Sequence, residues 1–403
     1  MKRSIESWCY DVFCLLSLYI NVLLYIPLLV YGILKKEKEK GNVLFFPLFL
    51  SIVSFGFQPP YEFDLYRHYE TFDQFCKFSY EISFIKDLYL PFLNYIGCYF
   101  GFTHKFIYVV TVFIYYFIVC FIIKDFFSGH NNDHIYVKFF LCAFLILNNN
   151  LVEISGLRFP ASLSFSILYL WRETKGKKDL IQYVLLALSI LSHFSMIILV
   201  VMNLAFKLSG SLFSRYKSIV AVSLSLILGL LLVKPFVSLL LVTVQNKIGF
   251  YIGAETYTSG EWGAERIEIQ GYNSTGAFVE RFKLYYNVFV LWVIIVILAL
   301  SASFNSKNIT RLTVFTCVCF IFIPFDTIYF RYQNIPQILS VFIIYEHRNN
   351  LKKFTICLLI ILIFSKLILQ YLIGFLSSYS IYIKSIILEY EIFNYGIFMQ
   401  LLG

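Results

Sequence analysis

The sequence predicts an all-α, polytopic integral membrane protein with about 11–13 membrane helices, short or re-entrant ones included. Three observations predict it. Of 403 residues, 59% are hydrophobic and 14% charged, and mean hydropathy is +0.75, which soluble domains do not reach. Apolar runs follow one another, separated by short loops that carry most of the net charge of +9. No polar stretch exceeds about 40 residues, so residues 1–403 are expected to form a single membrane domain.

The orienting stretch is Leu151–Lys178. Arg158 opens an apolar run, and Arg172, Lys175, Lys177 and Lys178 close it. Basic loops stay in the cytoplasm, which puts the tetra-basic end inside and Arg158 outside, near Glu153. A charge costs roughly 2.5–3.5 kcal/mol at the bilayer centre, and less at a helix mouth. An arginine there is either a snorkelling anchor or a functional group.

In chain order, Val12–Leu34 is the first expected membrane helix, too long for a signal-peptide core. KKEKEK at 35–40 follows on the inside. Val43–Phe57 returns outward and stops at Pro59 and Pro60. Residues 58–105 are read as an outer loop with an interfacial helix at Leu88–Phe102, which holds Pro91, Asn94 and Gly97. Parity supports this. If Leu88–Phe102 spans, the segments Phe106–Ile123, Ile135–Leu147 and Phe159–Trp171 carry Arg172–Lys178 to the outside. If it is interfacial, the basic loops at 35–40, 172–178, 207–217, 307–311 and 348–353 all fall inside.

Leu180–His193 and Ser195–Phe206 are short enough to be a re-entrant pair, and Ser218–Val244 is a long outward helix. Residues 245–283 form the longest polar outer loop. Leu284–Phe304, Leu312–Pro324, Gln337–Tyr345 and Phe354–Ile373 complete the spans, and the aromatic tail from Gly374 lies on the outer surface or adds a helix.

Under this topology the unusual polar groups gather outside: Asp64, Arg67 and His68; Glu153 and Arg158; His193; the 245–283 loop; Asp326, Arg331 and Gln333. Arg67, Arg158, Arg266, Arg281 and Arg331 offer planar forks that suit a phosphate or pyrophosphate. The bland alternative pairs Arg67 with Asp64 or Glu70, Arg158 with Glu153, and Arg331 with Asp326. Asp64, Glu153 or His193 could serve as general base toward a hydroxyl. Trp262, between Glu261 and Glu265, and the tyrosines of the outer loop offer stacking faces for sugar rings.

Other chemistries lack their signals. Nine cysteines show no CxxC pair and mostly lie in apolar runs, so neither a disulfide framework nor a zinc site is expected. The sequence has no P-loop, dinucleotide fingerprint or HExxH, which argues against an ATP-driven pump or a zinc protease. No cofactor, metal or nucleic-acid partner is expected.

Four segments carry a family resemblance: DLYRHYETF at 64–72, which includes Tyr69; LRFPASLSFSILYLWRETKGKKD at 157–179; ILSHFSMIIL at 190–199; and YFRYQNIPQIL at 329–339. In this order they resemble bacterial O-antigen and exopolysaccharide repeat-unit polymerases of the Wzy/EpsG type. The second departs from that pattern, with Phe159 and Pro160 where Gln and Ala often follow the arginine.

The resemblance implies a GT-C-like glycosyltransferase architecture in the bacterial inner membrane, with its active site facing the periplasm. The substrate would be an undecaprenyl-pyrophosphate-linked oligosaccharide, with membrane lipids around the protein and a chain-length regulator protein as a further partner. No metal is implied. Asp64, His193 and Glu153 are the candidate catalytic residues, and Arg67, Arg158, Arg331, Tyr69, Trp262 and Arg281 the candidate substrate-binding ones. The competing readings are a flippase or other transporter of the same lipid-linked oligosaccharide, which would be expected to show internal repeats and charges at mid-membrane depth, an O-antigen ligase, and a membrane acyltransferase, for which His193 lacks a neighbouring aspartate.

Overall fold

The computed structural model describes residues 5–20, 28, 39–59, 61, 63–78, 87–127, 135–149, 151–209, 215–231, 274–301 and 307–374. All regular structure among them is helical. The chain groups into two compact units. The first takes Met1–Lys138, Leu145–Ile197 and Gly374–Gly403; the second takes Phe139–Phe144 and Ile198–Ile373.

The first unit begins with α1 (Ile5–Ile20) and α2 (Glu39–Phe55). Tyr10 and Cys14 of α1 bury against Phe45 and Ile52 of α2. The expected first span, Val12–Leu34, therefore starts earlier, at Ile5, and its second half lies outside the described residues. Next come α3 (Asp64–Phe78), the short α4 (Tyr89–Tyr99) and α5 (Lys105–Phe127). The 23 residues of α5 rise about 34 Å, enough for a hydrocarbon core of about 30 Å, whereas the 11 of α4 rise only about 16 Å.

Two features fasten α3 to α4. A disulfide joins Cys76 to Cys98, with Cα atoms 5.3 Å apart. This corrects the expectation of no disulfide: the two cysteines stand 22 residues apart and meet only because α3 and α4 pack together. The second feature is Gly97. A Cβ there would stand 2.5 Å from Cε2 of Phe72, a ring 2% exposed, and 3.1 Å from Phe106. Gly97→Ala is therefore expected to cost about 1–3 kcal/mol through overpacking, read as a lower thermal midpoint of the purified protein. An unchanged midpoint would show that Phe72 swings away freely.

After α6 (Ile135–Leu147), the chain makes the one-turn helix α7 (Leu151–Ile154), then α8 (Arg158–Thr174) and α9 (Leu180–Ser192). Tyrosines of α5 hold the α6–α7 break. Tyr108 donates to the Leu151 carbonyl at 2.5 Å and Tyr116 to the Asn149 carbonyl at 3.1 Å, while Asn149 donates to the Tyr115 hydroxyl at 2.8 Å. The Leu151 carbonyl also accepts the Ser155 N–H at 3.1 Å, so Tyr108 fills its second lone pair and ties the turn to α5.

Helices α8 and α9 form a close pair. Ser162, Ser164 and Ser166 are fully buried on α8, and the Ser166 and Ser189 hydroxyls are 2.7 Å apart. Small side chains permit that approach. Gly176 ends α8 with φ +69°, with Lys177 N–H on the Arg172 carbonyl and Gly176 N–H on that of Glu173, a glycine-closed helix end. Asp179 then caps α9 through Gln182 N–H, at 3.2 Å, and pairs with Arg172.

The second unit contains α10 (Ile198–Ser209), α11 (Arg215–Leu231), α12 (Ser274–Ser301), α13 (Lys307–Phe320), α14 (Asp326–Tyr332), α15 (Asn334–His347) and α16 (Lys353–Gly374). It corrects two boundaries. Residues 274–283, expected as the end of a loop, are the first turns of α12, and the late arginine segment is a helix, α14. In both, apolar residues at helical spacing, such as Phe278 and Phe282, continue the pattern through the charged positions. Within this unit α13 packs on α10, α11 and α15. Arg311 is 3% exposed and lies over the Phe206 ring at 4.7 Å.

Two described helices, over Lys105–Phe126 and Arg281–Ser301, have the length and apolarity of a full membrane crossing, and shorter apolar helices surround them in the sequence.

Candidate functional site

The ion-bearing site of the first unit is built around Arg158, the first residue of α8. The residue before it, Leu157, has φ 45° and ψ −71°. A branched residue at positive φ is strained, by roughly 1–3 kcal/mol, and such strain persists only where the surroundings impose it. Leu157 is fully buried and its N–H bonds the Ile154 carbonyl, so the α7 turn fixes the direction in which α8 and its arginine start.

Arg158 pairs not with Glu153, the partner the sequence suggested, but with Asp87. Its Nη1 donates to Asp87 Oδ2 at 2.8 Å, and Asp87 Oδ1 accepts the backbone N–H of Phe194 at 2.9 Å. The Leu88 N–H donates to the Leu191 carbonyl at 2.8 Å beside it. One carboxylate, 9% exposed, thus fastens the entry to α4, the start of α8 and the end of α9. The Arg158 side chain keeps 40% exposure, and its Nη2 and Nε make no hydrogen bond among the described residues.

The same convergence brings in α3. Asp64 and Arg67 pair at 2.6 Å on its exposed face, a surface bridge worth about 0–1 kcal/mol. His68, one residue on, is half-buried and lies in the field of Arg158. Burial first, then the positive charges of Arg158 and Arg67, push its pKa down to about 4, against an opposing pull from Asp64. His68 is therefore a neutral imidazole at neutral pH, and nothing in its local sequence separates it from His193.

The unfolded chain binds the proton from pH 6.5 downward, and the folded chain only near pH 4. The contribution of His68 is complete above pH 6.5 and is lost as pH falls toward 4. His68→Gln is expected to flatten the decline of the thermal midpoint between pH 6.5 and 4. An equally steep decline in both proteins would refute the assignment.

His193 ends α9. Its Nδ1 accepts the Ser195 N–H at 3.2 Å and lies 2.8 Å from the Ser195 hydroxyl, and the ring meets Phe159 edge-on at 5.9 Å. With Nδ1 accepting, the neutral ring carries its proton on Nε2. Tyr69 is buried, which pushes its phenol well above the ordinary range, and its hydroxyl finds no partner among the described residues. Its ring lies 4.5 Å from that of His104, whose Nδ1 is 3.2 Å from both carboxylate oxygens of Asp73. Glu153 is half-buried in α7.

The remaining expected residues belong to the second unit or lie outside the described residues. Arg281 is exposed near the start of α12, and Arg331 is half-buried in the last turn of α14. Lys283 lies over the Phe330 ring at 5.3 Å, which brings those two helix segments together within the second unit. Trp262 lies outside the described residues. Among those residues no cluster of His, Cys, Asp and Glu is suited to a metal ion.

Sequence reasoning missed Asp87. It sits between Lys86 and an apolar run, where a lone acid looks like ordinary interfacial polarity. Its only local signal was position, immediately before the short interfacial helix.

The site's polar end offers arginine donors, a neutral imidazole and an Nε2–H around one half-buried carboxylate. Such an arrangement can bind an anion and accept a proton from a neighbouring hydroxyl. The sequence model of the EpsG family matches residues 43–392. No curated protein and no solved structure matches the chain.

Proposed function

Because this chain belongs to the EpsG family, we propose that it is a membrane glycosyltransferase that polymerises lipid-linked oligosaccharide repeat units into a polysaccharide. The donor in this reading is a glycan on undecaprenyl pyrophosphate, and the site faces the outer side of the cytoplasmic membrane. The single observation that carries it is the Asp87-braced Arg158, with exposed guanidinium donors next to a neutral His68.

In the reaction, an acceptor hydroxyl oxygen attacks C1 of the donor sugar. The C1–O bond to the pyrophosphate breaks as the new glycosidic bond forms, and the pyrophosphate leaves on its lipid with the electron pair. Arg158 and Arg67 stabilise that developing charge through donors already oriented before reaction. His68 accepts the hydroxyl proton. His193 donates through Nε2 and orients a sugar or phosphate oxygen. Asp64 holds Arg67, and Glu153, Tyr69, Trp262, Arg281 and Arg331 remain candidates for contacts with the glycan or the second lipid-linked unit.

The Cys76–Cys98 bridge supports the outward orientation, because disulfides persist in oxidising compartments and are rare in reducing ones. The bridge lies on the helix pair that carries His68 and follows Asp87, so the site shares its side of the membrane in this reading.

The test is the glycan ladder of cells lacking the protein, on a gel that resolves single repeats. Loss of long chains with a surviving single-repeat band fits a lost polymerisation step. Loss of the single-repeat band as well points to an earlier step such as flipping, or to attachment by a ligase, and overturns the proposal.

A further inference from the structure

An apolar groove starts where the ion-bearing site ends. Its volume is about 610 Å³, within the range of small-ligand sites. Leu88, Phe92, Phe106, Val110, Leu188 and Leu191 are among its walls, and almost all the surface they present is apolar.

Three elements of the first unit place polar groups at one end of this groove. Leu88 follows Asp87 directly. Leu191 and Ser192 precede His193. Phe165, also on the wall, lies seven residues along α8 from Arg158, or about 10 Å of helix rise. Phe106, Val110 and Ile114 stand four residues apart on α5, so the groove follows one face of this membrane-length helix for about 12 Å from its Lys105 end. The groove itself is apolar along the span, and its Leu88 and Ser192 walls adjoin Asp87 and His193 in the chain, with Arg158 bonded to Asp87.

We infer that this groove holds the first isoprenoid units of the lipid carrier while Arg158 and His193 meet its pyrophosphate. The inference rests on the polymerase reading for the identity of the carrier. Its physical basis is the adjacency of the groove, through Leu88 and Asp87, to the guanidinium donors of Arg158, which together match an amphiphile with an anionic head and one long chain of methyl-branched apolar units. A soluble sugar phosphate would use the polar end and leave the walls bare. An anionic bilayer lipid offers Arg158 one phosphodiester charge where a pyrophosphate offers several, so it should compete only weakly.

The groove also gives α4 a purpose. This helix is too short to cross a membrane, yet it is fastened by the Cys76–Cys98 bridge, by the Leu88–Leu191 backbone bond and by the close fit of Gly97 on Phe72. Phe92 and Tyr95 on its groove side are 60% and 54% exposed. Holding exposed aromatic groups rigidly beside a groove reduces the entropy lost when a flexible chain binds.

The experiment uses the purified full chain in lipid nanodiscs and a polyprenyl pyrophosphate with a diazirine in its isoprenoid chain and no glycan. After photolysis, labelled positions are read by peptide mass spectrometry. Labelling is expected to concentrate at 88–96 and 106–114 and to be competed by unlabelled polyprenyl pyrophosphate, and only weakly by added phosphatidylglycerol. Val110→Trp, which fills the groove, is expected to reduce labelling on the order of tenfold, the effect of blocking the burial of one large apolar group. Phe92→Glu, at an exposed position, tests the same wall without repacking the core.

Labelling spread evenly over exposed apolar helices, or competed equally by phosphatidylglycerol, would show a surface for bilayer lipid only and overturn the inference. The probe carries no sugar, so its binding does not depend on chain extension. Specific labelling with an unchanged glycan ladder in the deletion strain would keep the groove and reject the polymerase. A truncated ladder without specific labelling would do the reverse.

Discussion

Arg158→Ala is expected to stop glycan growth at the first repeat unit while the protein still reaches the membrane. The guanidinium sits where two demands meet. One edge satisfies Asp87 at 2.8 Å, and the rest of the fork faces outward, with 40% of the side chain exposed. Removing one preoriented donor to a developing negative charge costs roughly 2.7–4 kcal/mol, or about 10²–10³ in rate. Arg158→Lys is expected to recover little, because an ammonium is a point charge and cannot present two parallel donors to a phosphate while holding a carboxylate. The measurement is the chain-length ladder of a deletion strain carrying each variant at matched membrane abundance. Wild-type chain lengths with Arg158→Ala would remove this residue from the proposed mechanism.

Asp87→Ala carries the second large effect, and it acts on both structure and activity. The carboxylate accepts from Arg158 and from the Phe194 backbone, and it is 9% exposed. Its loss leaves a backbone N–H without its acceptor and an arginine without its brace. Losing a hydrogen bond to a charged acceptor costs roughly 1.5–3 kcal/mol, and the partly exposed ion pair adds about 0–1 kcal/mol. The thermal midpoint should drop, and chain length should shorten with it.

Asp87→Asn separates the two roles. Its amide oxygen can still accept the Phe194 N–H, so most of the stability should return, while the ion pair to Arg158 stays lost. If Asp87 acts only through Arg158, the double variant with Arg158→Ala should be no less active than Arg158→Ala alone, a non-additivity expected of groups in direct contact. Full additivity would mean that Asp87 does something independent of the arginine.

Much of the helical layout was legible because it depends on short stretches. Ile135–Leu147 and Leu180–Ser192 are bounded almost where apolarity rises and falls, and Arg158 opens α8 where the sequence changes character. Boundaries failed where charged residues sit within a helix, as at residues 274–283 and Asp326–Tyr332, since hydropathy treats charge as loop. The candidate site was legible as a set of residue types: Asp64, Arg67, Arg158 and His193 do lie in the first unit, and Asp64 does pair with Arg67 as its spacing allowed.

By itself, the sequence determined that this chain is a bundle of apolar helices with a few arginines and acids at their ends, because hydropathy and helix periodicity are local properties read within a few residues. The tertiary structure decided which charges meet. Asp87 lies 71 residues before Arg158 and 107 before Phe194, Cys76 lies 22 before Cys98, and His68 is neutral because packing buries it and, second, places it in the field of Arg158. Ion pairing, desolvation and disulfide formation depend on distance in space, which is fixed only when α3, α4, α8 and α9 pack together.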